Sequence, residues 1–321
     1  MQNLRKLIEE AENIILLPHD NIDGDSFCSC QAFKMMLESM GKKCSVVAEV
    51  PCIKKLEFLG LSCTEFESGK HLGVDLAIAV DCADEKRFGE RSEIFNGAKK
   101  NAVLDHHKTN RGFGMVNVIN PDAAAACEIV FELYKEWQVE ILPEAAKCIY
   151  CGIVTDTGGF RFSNTTAKTL EIAASLLKLG VDAEKINQNI FETKSFGQLK
   201  IEALAIEKTK FFHGGKTALC YISKEMQEQA GATDDDMSNV SSVLRCIEGV
   251  EVSAVIKEKG DEIRVSMRSK EYADVSEICA HFGGGGHSRA AGATLCCSGD
   301  EAVETLAKLI GEHYERCNLC I

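Results

Sequence analysis

The chain has 321 residues, of which 45% are hydrophobic, 26% charged and only 4 proline; this suffices for two folded domains and excludes a disordered or collagen-like polymer. A formal net charge of −13 argues against long duplex DNA as a partner, since gripping it takes many Lys and Arg against phosphates. No run approaches the roughly 18 apolar residues that span a bilayer, and residues 1–20 lack the basic, apolar and small-residue regions of a leader, so a cytoplasmic chain with no membrane partner is expected.

In chain order, residues 14–18 (IILLP), 44–49 (CSVVAE), 74–80 (GVDLAIAV without its glycine) and 101–105 (NAVLD) read as buried strands. Residues 26–40, 123–137, 143–151 and 166–179 have helical spacing. Alternation of this kind predicts an α/β domain, a mainly parallel sheet flanked by helices, with ligands gathered at the carboxyl ends of the strands. Residues 181–215 are charged and helical in pattern. Beyond them TALCYIS, VEVSAVIKE and DEIRVSMRS alternate as strands, and a helix near 274–281 leads to four glycines at 283–286. The expected division is a first domain over 1–186, a helical connection over 187–212, and a smaller α/β domain with a mixed sheet over 213–321.

Sixteen cysteines are scattered through apolar segments. In a reducing compartment they act as small hydrophobes. The pairs Cys148/Cys151 and Cys317/Cys320 have CxxC spacing, but one is embedded in an apolar run and the other ends the chain. Structural zinc is not expected from them.

Polar clusters follow the strands. His19-Asp20-Asn21-Ile22-Asp23-Gly24-Asp25 places a histidine and three carboxylates in one short loop. Such carboxylates repel one another unless cations are bound, and oxygen ligands with imidazole suit Mn²⁺ or a similar divalent ion. Gly24 would turn the backbone so that Asp23 and Asp25 face different metals. Asp81 follows AIAV and is placed to bridge two cations; Arg87, nearby, is expected to pair with an acidic neighbour. Asp105-His106-His107 is the sharpest cluster, with His106 assigned to a metal, His107 to phosphoryl oxygens, and Asp105 able to fix a ring tautomer. Asp156, in GIVTDTGGFRFSNTT, sits among small residues after an apolar run. Standing alone, Asp81 and Asp156 are weak, because a turn or a helix cap accounts for either.

These four segments resemble the motifs of the DHH phosphoesterase superfamily, named after the tripeptide Asp105-His106-His107. Gly283-Gly284-Gly285-Gly286-His287-Ser288-Arg289-Ala290-Ala291-Gly292 resembles the signature of the DHH-associated domain. The similarity covers nearly the whole chain and is greatest to the bacterial oligoribonucleases that also dephosphorylate pAp. Cys28 stands where such proteins often have glycine, and Ile22 where they often have proline; neither removes a ligand. The resemblance implies a first domain for hydrolysis and a second for substrate. It also implies two divalent cations, most readily Mn²⁺. His19, Asp23 and Asp81 would hold one; Asp25, Asp81, His106 and Asp156 would hold the other. Two such ions clamp the attacking and leaving oxygens of an in-line displacement, while His107 offsets charge on the phosphoryl oxygens.

The glycine run leaves N–H groups unobstructed and reads as an anion-binding nest near a helix start, with Gly284, Gly285, Gly286 and His287 touching substrate. His287 would stack on a base or bind a phosphate. Arg268 and Arg264 share one strand face, Arg289 adds charge, and Arg111 with Asn110 is placed to reach phosphate. The expected substrates are short RNA oligonucleotides, linear dinucleotides and pAp. A cyclic dinucleotide such as c-di-AMP stands second. A nucleotide-binding regulator without catalysis stands third, weakened by the complete set of six metal ligands. A homodimer is left open.

Overall fold

In a computed structural model that describes residues 1–20, 22–48, 54–71, 73–260 and 262–317, the chain divides into two units, Met1–Thr193 and Lys194–Ile321. Among the described residues the first holds six strands, β1 (Asn13–Leu17), β2 (Lys43–Ala48), β3 (Thr64–Glu65), β4 (Leu76–Val80), β5 (Lys100–Asp105) and β6 (Val116–Ile119). They form one sheet in the order β3-β2-β1-β4-β5-β6, with every pairing parallel. All five residues of β4 are buried, as expected for a central parallel strand covered on both faces.

Alternation divides the strand residues between two cores. Leu16, Ile78 and Leu104 face one way, onto α2 (Gly24–Ser39), α4 (Ala126–Glu136) and α5 (Pro143–Asp156), with α1 (Gln2–Glu10), α6 (Ala167–Lys178) and α7 (Ala183–Asn187) completing that layer. Leu17, Ala79 and Val103 face the other way, onto Phe88 and onto Ile94 and Phe95 of α3 (Ser92–Gly97). The strand order reverses between β1 and β4, and a crevice opens at such a point outside the carboxyl ends of the strands. The segments after β1, β4 and β5 all emerge there.

Two expected boundaries change. The strand run 116–119, short and only partly buried, was not anticipated. The helix expected over 143–151 continues to Asp156, so Asp156 is the last residue of α5 and not a residue at a strand end. Gly152 and the β-branched Ile153, Val154 and Thr155 weaken local helix propensity, but packing against α2 and α4 overrides it. Cys148 and Cys151 are both fully buried in α5, and Cys28 lies against them on α2. Cys320 lies outside the described residues, as do Glu49 and Asp261 at the ends of two expected strands.

The second unit contains α8 (Phe196–Lys208), β7 (Lys210–Phe212), β8 (Thr217–Ile222), α9 (Lys224–Ala230), α10 (Val240–Arg245), β9 (Val252–Lys259), β10 (Glu262–Ser269), α11 (Val275–Ala280), β11 (Gly285–His287), β12 (Ala290–Leu295) and α12 (Gly299–Arg316). Its sheet runs β11-β12-β10-β9-β8-β7 and is mixed, with β8 and β9 parallel and the other pairs antiparallel. Ile201 and Ala205 of α8 pack with Ala218, Cys220 and Leu244 in the core of this unit. Among the described residues, no helix is long and apolar enough to cross a membrane.

Candidate metal centre

His19, Asp81 and the Asp105-His106-His107 tripeptide are delivered by the ends of β1, β4 and β5. Asp23 and Asp25 come from the start of α2, and Asp156 from the end of α5. The ligand-type atoms converge in three overlapping groups: His19, Asp23 and Asp81; Asp25, His106 and Asp156; Asp81, His106 and His107. The Nε2 atom of His19 lies 3.6 Å from Asp23 Oδ2 and 3.7 Å from Asp81 Oδ2. The Nε2 atom of His106 lies 3.3 Å from Asp81 Oδ1, 3.6 Å from Asp156 Oδ2 and 4.0 Å from Asp25 Oδ2. Asp81 is therefore the residue common to both sides.

Backbone groups set these side chains. The Nδ1 atom of His19 bonds the carbonyl of Asp20, and Nδ1 of His106 bonds that of Ala123 at 3.3 Å. A ring that donates through Nδ1 presents a lone pair at Nε2, the atom that faces the carboxylates in both cases. Asp25, almost fully buried, accepts from Ala126 N at 2.6 Å and Cys127 N at 3.0 Å. These are the first amides of α4, where free N–H groups and the helix dipole favour an anion. Asp23 caps α2 through Oδ1, which accepts from Ser26 N at 3.0 Å, and turns Oδ2 toward His19. Asp81 sits at φ +57°, a left-handed conformation that few side chains other than Asn and Asp accept, and one that recurs at functional sites.

Gly24 has a different role from the turn expected of it. It is the first residue of α2 and its φ is not positive. A Cβ there would lie 2.4–2.7 Å from side-chain atoms of Thr155. Gly152 is similar, since a Cβ would meet Cys127 Sγ at 2.2 Å and Asp25 Oδ1 at 2.8 Å. The missing side chains let α2, α4 and α5 approach until the carboxylates of α2 and α5 share one volume beside the first turn of α4.

The electrostatics show a site short of positive charge. Burial, then the neighbouring Asp25 charge, pushes the Asp81 carboxyl well above the usual range. Burial also raises Asp25, and burial with the Asp25 charge raises Asp156 to about 7. Burial disfavours charge on His106, but Asp81, Asp25 and Asp156 outweigh it and lift its pKa to about 10. Asp81 Oδ1 is buried and makes no hydrogen bond. An orphaned carboxylate oxygen among imidazoles and acids fits a divalent cation of the Mn²⁺ kind, with His and carboxylate ligands.

Beside this cluster, Asp105 is fully buried and accepts from His107 Nδ1 at 2.7 Å and Asn110 Nδ2 at 2.6 Å. Burial opposes its charge, yet His107 and Asn110 hold its pKa below the usual range. Asn110, expected at a phosphate, is buried and also donates to Cys82 O at 3.0 Å. It orients Asp105 instead. Arg87 pairs with Asp20, as expected, at 3.5 Å. Arg111 is exposed.

Several supports escaped sequence reasoning. The fully buried Arg91 donates to Pro18 O at 2.7 Å and Val47 O at 3.3 Å, tying the ends of β1 and β2. Asn164 donates to Ala124 O at 2.9 Å and Asp156 O at 3.2 Å. Nothing in the local pattern marks either residue, because each acts on a backbone carbonyl distant in sequence.

In the second unit the nest reading fails for two glycines. The run follows the end of α11, not a helix start, and the N–H groups of Gly283 and Gly284 donate to Ala280 O and Cys279 O, both at 3.0 Å. Gly285, Gly286 and His287 form β11 against β12. Close backbone approach explains two of the glycines: a Cβ on Gly284 would lie 2.2 Å from Gly292 O, and one on Gly286 2.4 Å from Ala290 O. His287 is exposed. Arg264 and Arg268 share a face of β10, as alternation required. Arg268 is disfavoured as a cation by burial and by nearby Arg245, and the two guanidiniums rest on Met267 O and Ser269 O. Arg245, unnoticed in the sequence, adds a second cation beside Arg268.

The family model described as "DHH family, N-terminal domain" matches residues 13–153, and the "DHHA1 domain" model matches residues 215–314. The chain is 32% identical over 322 aligned positions to the bifunctional oligoribonuclease and PAP phosphatase NrnA of Thermus thermophilus, covering 98% of this chain and 95% of that protein. The chain belongs to the DHH family of phosphoesterases. As such it is a phosphoric ester hydrolase. The protein of the same name from Bacillus subtilis is 30% identical, over 95% of this chain and 96% of its own. In fold, this DHH protein matches the crystal structure of an exopolyphosphatase-related protein from Bacteroides fragilis, with a TM-score of 0.92, 24% identity and coverage of 98% and 96% of the two chains.

Proposed function

We propose that this DHH phosphoesterase hydrolyses short oligoribonucleotides and linear dinucleotides to mononucleotides, and removes the 3′-phosphate of pAp, with two divalent cations, Mn²⁺ or similar. The observation that carries the metal-dependent chemistry is Asp81, whose buried, unbonded Oδ1 lies 3.3 Å from His106 Nε2 and whose Oδ2 lies 3.7 Å from His19 Nε2. The substrate class rests on the two relatives named for oligoribonuclease and PAP phosphatase activity, aligned over nearly their whole length.

His19, Asp23 and Asp81 would hold one cation, and Asp25, Asp81, His106 and Asp156 the other. The cations supply charge neutralisation at the phosphoryl oxygens and lower the pKa of attacking water. His107 is assigned a place beside them. Its Nδ1–H donates to Asp105, so Nε2 would have a proton to give a phosphoryl or leaving oxygen only in the doubly protonated ring, whose charge the Asp105 carboxylate would balance. Asp105 orients the ring, and Asn110 holds Asp105. Arg111, Arg268 and His287 are assigned to the nucleotide, together with the β11 backbone at Gly285 and Gly286. The second unit is thereby the substrate-recognition half.

The test is a panel of pApA, pAp and c-di-AMP with Mn²⁺ and identified products. AMP from pApA and pAp is expected. Preferential opening of c-di-AMP would replace the substrate assignment, and no mononucleotide from any of the three would refute the catalytic reading.

A further inference from the structure

Phe162 is the one exposed Phe, Tyr or Trp among the described residues of the first unit, at 47% exposure. It stands on the turn that emerges from Asp156. The tip of its ring abuts Gly158: a Cβ on that glycine would lie 2.4 Å from Cζ, 2.5 Å from Cε2 and 2.7 Å from Cε1. The three distances are nearly equal, so the Cβ position lies over the ring and not beyond its edge: Gly158 backs one face of Phe162, and the exposure of the residue falls to the other face. Gly158 is two residues beyond Asp156, so their Cα atoms are at most about 7.6 Å apart. That is about the reach from a phosphate to the base of its own nucleotide.

The turn is built to hold this ring. Gly158 and Gly159 have φ of +58° and +73°, and Phe160, a bulky residue, is held at +63°. The N–H of Phe160 donates to Thr157 Oγ1 at 3.1 Å, and that of Phe162 to Thr157 O at 3.0 Å. Phe160 turns inward and meets Tyr150 edge to face, with centroids 6.1 Å apart. Arg161 bonds Gly158 O and lies over Phe191, 5.5 Å from its centroid. Two residues on, Asn164 grips Asp156 O and Ala124 O. The neighbours of Phe162 are anchored, and its apolar ring is left in water on the turn that follows Asp156. A left-handed Phe and an unburied Phe are both unfavourable; Phe160 packs against the core in return, whereas Phe162 stays exposed.

We propose that Phe162 is a stacking platform for the nucleobase next to the scissile phosphate. It would make recognition depend on the presence of a base and not on its identity, since every base offers a π-face. This rests on the nucleotide reading given above, so two readouts are needed. The first is the ratio of kcat/KM for pAp to that for its abasic counterpart, 1-deoxyribose 3′,5′-bisphosphate. Phe162→Ala should lower this ratio about tenfold, chiefly through KM for pAp, and Phe162→Trp should restore it. An unchanged ratio, with both substrates spared or both impaired, would overturn the proposal and leave Phe162 as a cover for Gly158. The second readout needs no turnover. In the Mn²⁺-loaded Phe162→Trp protein, AMP should quench indole fluorescence and ribose 5-phosphate should not, measured against the parent, whose single Trp137 is buried. Quenching without hydrolysis would refute the hydrolase reading and keep the platform. Hydrolysis with equal quenching by both ligands, or with none, would refute the platform alone.

Discussion

Gly152→Ala tests how the carboxylates are packed. The added Cβ would lie 2.2 Å from Cys127 Sγ and 2.8 Å from Asp25 Oδ1. Sγ must withdraw by about 1 Å, and Asp25 by several tenths of an ångström, to reach ordinary contact near 3.5 Å. Overpacking costs about 1–3 kcal/mol. Replacing a helical glycine by alanine returns about 1 kcal/mol. The net loss is about 0–2 kcal/mol, which for a unit of this size lowers Tm by up to roughly 8 °C. Metal binding should suffer more than folding, because ligand positions tolerate only about 0.2 Å. A loss of roughly tenfold to a hundredfold in affinity is expected. Calorimetric titration of Mn²⁺ into the folded variant, with thermal unfolding of the metal-free form, measures both terms. Adding Cys127→Ala removes the nearest clash and should recover most of the Tm but only part of the affinity, since the contact with Asp25 remains. A single variant that binds Mn²⁺ within twofold of the parent would refute this account of why position 152 is glycine.

Three further outcomes are expected. Asp105→Asn keeps the shape but loses the charge that would balance a doubly protonated His107, so kcat should fall about a hundredfold or more while Mn²⁺ affinity changes little; equal losses in both would place Asp105 on the metal. Asp75 has its pKa lowered to about 2 by Lys99, then by the backbone N–H groups of Asn13 and Glu12. A carboxylate depressed in the folded state stabilises fully above its unfolded pKa near 4 and loses that contribution as the pH falls toward 2. Asp75→Asn should therefore narrow the Tm difference between pH 5 and pH 3, and an unchanged difference would contradict the assignment. In native protein, mass spectrometry after brief alkylation should find Cys246, Cys296 and Cys317 modified first. Cys44, Cys82 and Cys220, raised by burial to about 12, should stay unmodified.

The sheet was legible wherever an apolar run stopped abruptly at a polar cluster. IILLP before His19, AIAV before Asp81 and AVLD before His106 each announced a central parallel strand and the end from which its ligand emerges. The edge strand β6 was not legible, because its four residues are neither uniformly buried nor alternating. The six proposed ligands could be picked out by residue type, as acids and histidines clustered after apolar runs, and their atoms converge in the fold. Glycine roles could not. Gly24 and Gly152 have ordinary helical neighbours, and only the approach of Thr155, Cys127 and Asp25 from other helices explains them. The same holds for Gly284 and Gly286, whose missing side chains admit β12, while the N–H groups of Gly283 and Gly284 close α11. Asp156 misled for a related reason: a glycine and three β-branched residues look like the end of a helix until the helices packed around them are known.

Equilibrium dialysis of Mn²⁺ against the parent and Asp81→Asn, with pApA hydrolysis followed on the same samples, tests the shared-ligand centre most directly. Asparagine accepts the left-handed backbone found at position 81, so the substitution removes charge with little strain. Two cations per parent chain are expected, with the variant losing tight binding of both and hydrolysing pApA at background. A parent that binds no cation, or a variant that keeps two cations and activity within a fewfold of the parent, would contradict the account.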